Sequence, residues 1–257
     1  MDIIKFLNSC DEDWVFGSLN IENFNLTSRS RLRHWYDHCR EKINDLDGDI
    51  FEFGVYKGNG VISMAILLKL LGSDKKIYAF DTFSGFPGYH KNDSLDMFEI
   101  RKDIFCQEIV DKSRMCRELA KFRTNEPITP VNISTSGDFA DSSKKYLEDR
   151  LAKFCIDNVI LIEGVFEETV TEFFSTYKGK VFSANIDCDL YEGYKAVLPC
   201  VYRRSSTGSM LYLDEYYSLK FPGARIAVTE FLDGKEDELC QLQSFENEFE
   251  RWAIIKK

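Results

Sequence analysis

One stretch of the sequence carries the pattern from which the architecture follows: Ile50-Phe51-Glu52-Phe53-Gly54-Val55-Tyr56-Lys57-Gly58-Asn59-Gly60. Its first four residues predict a short, mostly apolar strand, and its glycines predict a tight turn. The segment 61–71 is apolar on almost every side, which predicts a largely buried helix. A second strand is expected over 77–80, ending at Asp81. Strand, glycine-rich turn, helix and strand in this order are typical of a doubly wound α/β sheet.

Further strands follow in the second half of the chain, and each ends at a loop that carries acidic residues or glycine. We expect parallel strands over 159–162, 181–186 and 209–213. Helices are expected over 191–204 and 225–232, and an antiparallel pair of edge strands over 240–245 and 252–256. With the strands of residues 50–53 and 77–80, these elements predict a Rossmann-like sheet of seven strands.

The chain shows no linker and no internal repeat, so we predict a single domain over residues 1–257. Residues 1–47 are expected to form an N-terminal helical cap, with a helix that begins near Ser28. Residues 48–257 are expected to form the catalytic core. The charged segment 88–130 has no clear strand, and we interpret it as a helical insertion that covers the site as a lid.

Composition and charge exclude several classes of protein. The 257 residues carry 43 acidic and 33 basic side chains, a net charge of −10, which argues against a nucleic-acid-binding protein. No apolar run approaches the roughly 20 residues of a membrane span, and we expect no secretory signal. The eight cysteines include no C-x-x-C pair, so we expect reduced thiols in a cytoplasmic protein.

The glycine turn predicts a binding site, because ligands of such sheets lie beyond the carboxyl ends of the strands. A carboxylate at Glu52 suits a ligand with a positively charged amine, and Asp81 suits the two hydroxyls of a ribose. An amine and a ribose without a phosphate point to S-adenosylmethionine. The spacing G-x3-G-x-G differs from the G-x-G-x-x-G of dinucleotide-binding proteins, which weakens a nicotinamide hypothesis. The alternative is a plain turn flanked by solvated acids.

A second candidate site is acidic. Asp187, Asp189, Asp214 and Glu215 follow two strands that we expect to be neighbours. Clustered carboxylate oxygens favour a hard cation such as Mg²⁺, which lowers the pKa of a bound hydroxyl. The alternative is that these acids are solvated or cap the helices that follow.

Together the motifs closely resemble the macrocin O-methyltransferase-like family. The segments that carry the resemblance follow in order between about residues 26 and 233: Glu52 to Gly58, Phe80 to Pro87, Glu163 to Thr169, Asp187 to Glu192, Leu213 to Tyr216 and Phe221 to Val228. The resemblance implies a class I methyltransferase that uses S-adenosylmethionine and Mg²⁺. It further implies methylation of a hydroxyl on a sugar or a related natural-product precursor, and a homo-oligomeric enzyme.

The resemblance also implies a role for individual residues. The cofactor-binding residues would be Glu52, Gly54, Val55, Tyr56, Gly58, Asp81, Thr82, Gly164, Val165 and Phe166. The metal ligands would be Asp187, Asp214 and Glu215. Asp187 is the first candidate for the general base, and Asp189 is the second.

Three positions depart from the family's usual pattern. Glu215 stands where relatives often have aspartate, Gly60 where many have serine, and Val165 where tryptophan is usual. Two alternatives therefore stay open: a nicotinamide-dependent oxidoreductase, and an inactive protein that only binds the cofactor. We expect residues 1–47 and 88–130 to form the pocket of the acceptor.

Overall fold

The computed structural model describes residues 30–235, 238–246 and 248–257. Most of the predicted N-terminal cap, residues 1–29, lies outside the described residues. In the described part, the predicted seven-stranded sheet is confirmed, with the order β3-β2-β1-β4-β5-β7-β6. The strands are β1 Asp49–Phe53, β2 Ile77–Asp81, β3 Val159–Glu163, β4 Val181–Ile186, β5 Ser205–Leu213, β6 Leu239–Leu242 and β7 Arg251–Ile255.

Strands β1 to β5 are parallel, and β7 runs antiparallel to both β5 and β6. The strand order reverses direction at β1, with β2 on one side and β4 on the other, so a ligand crevice is expected where their carboxyl ends diverge. The helices are α1 Arg33–Lys42, α2 Asn59–Leu70, α3 Met97–Ile100, α4 Gln107–Lys121, α5 Lys144–Lys153, α6 Phe166–Thr176, α7 Tyr191–Arg204 and α8 Pro222–Phe231.

The core lies on both faces of the sheet, as the apolar strands require. On one face α2 is buried along most of its length and packs with Leu32, Trp35 and Tyr36 from the start of α1. The other face holds α6, α7 and α8 over the aromatic residues of β1. Both faces of the sheet are therefore covered by helices.

The segment 88–130 differs from the prediction in part. It is helical, but Phe98, Phe105 and Ile109 are buried in the core beside α7 and α8. Only its first residues, around His90, line the cleft described below. The apolar residues of this segment thus pack in the core, and the many charged residues around them gave no indication of this in the sequence. Helix α5, which packs on β3, was not predicted.

The arginine that begins α1 is buried and pairs with a carboxylate from a distant part of the chain. Arg33 is 3% exposed and forms two hydrogen bonds of 2.7 Å with the Glu248 carboxylate. It also donates to the Gln243 carbonyl at 3.0 Å and lies 4.6 Å from the centre of the Phe245 ring. This pair fastens the beginning of α1 to the loop between β6 and β7.

We expect Glu248→Gln to lower the free energy of unfolding by about 3 kcal/mol, because it leaves a buried guanidinium without its counter-charge. Urea unfolding at neutral pH measures this, with exposed Glu246→Gln as the control. Burial disfavours the charged form of Glu248, but Arg33 and the Phe245 N–H hold its pKa at about 2. The stabilisation is therefore complete above about pH 4.3 and is lost as the pH falls towards 2. Equal stability of Glu248→Gln and the wild type would contradict this role.

Among the described residues, no helix is both long and apolar enough to cross a membrane. The cysteines at positions 39, 106, 116, 155, 188, 200 and 240 are all free thiols.

Candidate active site

The glycine turn lies at the reversal point of the sheet and touches the loop after β4. Gly54 has a φ of +87°, and its N–H donates to the Phe80 carbonyl at 3.0 Å. The Asp187 N–H donates to the Phe53 carbonyl at 2.8 Å, which extends the parallel ladder beyond the strands. A methyl group on Gly54 would collide with the Asp187 carbonyl oxygen. The two candidate sites of the sequence analysis therefore adjoin.

Asp81 organises this turn in addition to facing the cleft. Its Oδ2 accepts the N–H groups of Val55 at 2.6 Å and Tyr56 at 2.8 Å, and its Oδ1 accepts that of Phe83 at 2.7 Å. Tyr56 has a φ of +52°, a conformation that these hydrogen bonds help to hold. A carboxylate has about four acceptor sites, so one remains for a ribose hydroxyl.

Glu52 lies deep in the cleft and is 2% exposed. Its Oε1 accepts a hydrogen bond of 3.1 Å from the Asn185 side-chain amide. A methyl group on Gly60 would collide with the same oxygen, so the glycine that departs from the family pattern makes room for this carboxylate. The turn and the carboxylate form a cradle that suits a ligand with a positively charged amine.

The predicted metal ligands come together. Asp187, Asp214 and Glu215 each place a carboxylate oxygen within 4.8 Å of the other two. The Asp214 N–H donates to the Ile186 carbonyl at 3.1 Å. Tyr194 donates its hydroxyl to that carbonyl at 2.7 Å and accepts the Glu215 N–H at 3.2 Å. Backbone bonds thus fix the position of the cluster.

This carboxylate cluster is short of positive charge. Burial raises the pKa of Asp187 well above its usual range; Arg31 opposes the rise, and Asp214 and Glu215 add to it. Burial and the charge of Asp214 raise the pKa of Glu215 to about 7. Among the described residues, the buried Oδ1 of Asp214 has no hydrogen-bond partner. Three hard oxygen donors in this state fit a divalent cation.

Asp189 lies beside the cluster in a turn, with a φ of +55°. It lines the cleft, and burial together with the charges of Glu215, Asp187 and Asp214 raises its pKa well above its usual range. It is not part of the group of three. Its role as the second candidate for the base stays a prediction.

The cleft has a volume of about 610 Å³, which is typical of a small-molecule site. It contains most of the predicted residues: Glu52, Gly54, Val55, Tyr56, Asp81, Thr82, Phe166, Asp187, Asp189, Asp214 and Glu215. Gly58, Gly164 and Val165 do not line it. Gly58 has a φ of +82° and precedes α2, where a side chain would collide with Leu147. Val165 precedes α6 and supports Phe166, which does line the cleft.

Aromatic residues form the outer wall of the cleft. Phe86 packs edge-on against Phe139 and Phe221, with ring centres 5.3 and 5.8 Å apart. His90 stacks on Tyr191 with ring centres 4.6 Å apart. Phe86, His90, Phe139 and Phe221 line the same cleft as the carboxylate cluster.

Two residues of the site escaped the sequence analysis. Asp93 is 1% exposed and accepts the N–H groups of His90 and Tyr191, both at 2.8 Å, so it joins the outer wall to α7. The second residue, Arg31, lies just before α1. Its Nη1 lies 2.9 Å from Asp187 Oδ2 and 2.5 Å from Asp214 Oδ2. The hydrophobic periodicity of the sequence predicts only local secondary structure, so it gave no indication of the long-range contacts of Asp93 and Arg31.

Comparison with solved structures shows the fold. CalS11, a calicheamicin methyltransferase, is 21% identical, with a TM-score of 0.64 over 98% of this chain and 89% of that one. The O-methyltransferase NovP is 18% identical, with a TM-score of 0.61 over 88% and 80%. An O-methyltransferase from Bacillus cereus is 11% identical, with a TM-score of 0.51 over 99% and 97%. The architecture is that of class I O-methyltransferases, as predicted.

Part of the chain is similar in sequence to a known family of methyltransferases. A search of curated proteins finds no match. Residues 12–124 match the model of the macrocin O-methyltransferase family, a span that includes the glycine turn, Asp81 and the segment after it. The match covers less than half of the chain and agrees with the resemblance to the macrocin O-methyltransferase family that the motifs predict.

Proposed function

We propose that this protein transfers the methyl group of S-adenosylmethionine to a hydroxyl of a sugar or a related natural-product or glycan precursor, assisted by Mg²⁺. One observation carries the proposal. A single cleft holds Glu52 and the glycine turn on one side and the carboxylate cluster on the other, with Gly54 against Asp187.

The donor side of the cleft matches the parts of the cofactor. Glu52 would bind the amino group, and Asp81 would accept a ribose hydroxyl while it holds the turn. Phe166, which lines the cleft, offers a ring for the adenine, and Thr82 also lines the cleft. The Bacillus cereus neighbour was solved in complex with SAH, which supports a donor of this class on this fold.

The carboxylate cluster would hold the cation. When bound there, Mg²⁺ would favour the ionised form of an acceptor hydroxyl. Asp187 would take the proton of that hydroxyl, and Asp189 is the alternative. The strand ends would align acceptor oxygen, methyl carbon and sulfur, and the aromatic wall would exclude water.

The outer wall supports a sugar as the acceptor. Phe86, Tyr89, Phe139 and Phe221 present apolar rings to the cleft, and a sugar ring can pack its C–H face on such surfaces. One solved neighbour is described as a TDP-rhamnose 3'-O-methyltransferase. We further propose a cytoplasmic, single-domain enzyme that forms homo-oligomers and binds neither nucleic acid nor membranes.

Binding of S-adenosylmethionine, measured by calorimetry, tests the donor site. We expect Glu52→Gln to weaken the affinity about tenfold or more, because the amino group loses a charged hydrogen-bond acceptor. Exposed Glu118→Gln, which alters only an ion pair with Lys121, should leave it unchanged. Unchanged affinity in Glu52→Gln would contradict the donor site.

Transfer from labelled S-adenosylmethionine to a panel of glycosides, with and without Mg²⁺, tests the reaction. Metal-dependent labelling of a hydroxyl supports the proposal. Binding of NAD in place of S-adenosylmethionine would favour the oxidoreductase, and cofactor binding without transfer to any acceptor would favour an inactive binding protein.

A further inference from the structure

The side chain of Arg31 lies where the divalent cation is expected. A single nitrogen, Nη1, bridges Asp187 Oδ2 at 2.9 Å and Asp214 Oδ2 at 2.5 Å. These two carboxylates follow different strands, and both belong to the cluster of three. The guanidinium therefore supplies one positive charge at the position where a divalent ion would supply two.

The guanidinium and the ion cannot share this position. Magnesium binds carboxylate oxygens at about 2.1 Å. An ion held by Asp187 and Asp214 would therefore overlap with the guanidinium group that now contacts both carboxylates. Two cations in contact with the same oxygens would also repel each other strongly, because the site is largely buried. Ion and guanidinium therefore compete for Asp187 and Asp214.

The backbone of Arg31 is anchored, whereas its side chain has a way out. The Tyr212 hydroxyl donates a hydrogen bond to the Arg31 carbonyl, and the next residue, Leu32, is fully buried. The Arg31 side chain itself is 38% exposed. Its withdrawal thus requires rotation about side-chain bonds and leaves the fold intact.

We propose that Arg31 is an intramolecular competitor for the divalent cation, which lowers the metal affinity of the carboxylate cluster and leaves it when the ion binds. This inference rests on the proposed function, since it takes the cluster to be the metal site. If it holds, Arg31, which is not a metal ligand, sets the concentration of divalent cation at which the enzyme is loaded.

Titration with Mn²⁺ alone, followed by calorimetry, tests the competition. Arg31→Met should bind the ion about tenfold to a hundredfold more tightly than the wild type, because the ion no longer has to displace the guanidinium from Asp187 and Asp214. Arg40→Met is the matched control, because Arg40 pairs with Asp37 on the same helix, and it should bind as the wild type does. Equal or weaker binding by Arg31→Met, or no binding by either protein, overturns the proposal.

A second measurement uses the wild-type chain. Phenylglyoxal labels accessible arginines, and mass spectrometry quantifies the label at Arg31. Added Mg²⁺ should increase labelling of Arg31 and leave that of Arg40 unchanged; constant or reduced labelling of Arg31 overturns the proposal. Neither measurement involves methyl transfer, so a protein that fails to methylate yet shows both effects would contradict the proposed function alone.

Discussion

Asp187→Asn is expected to reduce kcat/KM for methyl transfer by about 10³-fold or more, since the residue would bind the cation and accept the proton. Replacement of a carboxylate by an amide keeps the shape of the side chain, so the fold should persist. The same change should weaken Mn²⁺ binding, while affinity for S-adenosylmethionine should change little. Steady-state rates and calorimetry on one preparation separate these effects.

Asp189→Asn is the informative comparison for the base. Asparagine tolerates the φ of +55° at this position, so the turn should be preserved. If Asp187 is the base, Asp189→Asn should retain most of the activity. A larger loss in Asp189→Asn than in Asp187→Asn, with metal affinity intact, would reverse the assignment of the two residues.

Among the glycines that the structure describes, Gly54 is the one where an added methyl group makes the shortest collision, so Gly54→Ala should be strongly disruptive. The added carbon meets the Asp187 carbonyl, and the φ of +87° is unfavourable for alanine. We expect a loss of about 4 kcal/mol in the free energy of unfolding. Affinity for S-adenosylmethionine should fall about a hundredfold, because β1 and β4 must separate where the donor binds.

Gly72→Ala is the matched control for backbone strain. Its φ is +64°, but an added methyl group meets no atom within 4 Å among the described residues. This variant should lose only about 1 kcal/mol of stability and keep its affinity for the cofactor. Wild-type cofactor affinity in folded Gly54→Ala would show that the junction of the two strand ends does not form the donor site.

Much of the fold could be predicted because the strands are local patterns with clear ends. The residues that close each strand, such as Asp81 and Asp187, are followed by turns, and parallel strands place their carboxyl ends at one edge of the sheet. The adjacency of the glycine turn and the acids followed from that geometry. The contact of Gly54 with Asp187 confirms it.

The rest depends on contacts between distant parts of the chain, which no local pattern encodes. Arg31 meets Asp214 across more than 180 positions, and Arg33 meets Glu248 across 215. The segment 88–130 was interpreted as a lid because it is rich in charge and has no clear strand, although Phe98 and Phe105 are buried in the core. The charged residues of an amphipathic helix indicate which face is exposed, but they do not indicate which element the apolar face packs against.

The most direct test of the account places Mn²⁺ in the carboxylate cluster and observes S-adenosylmethionine labelled with ¹³C at its methyl group by NMR. If donor and cation share one cleft, Mn²⁺ should broaden the methyl signal of the bound cofactor, and Asp187→Asn should abolish the effect. A sharp methyl signal with both ligands bound would contradict the shared site.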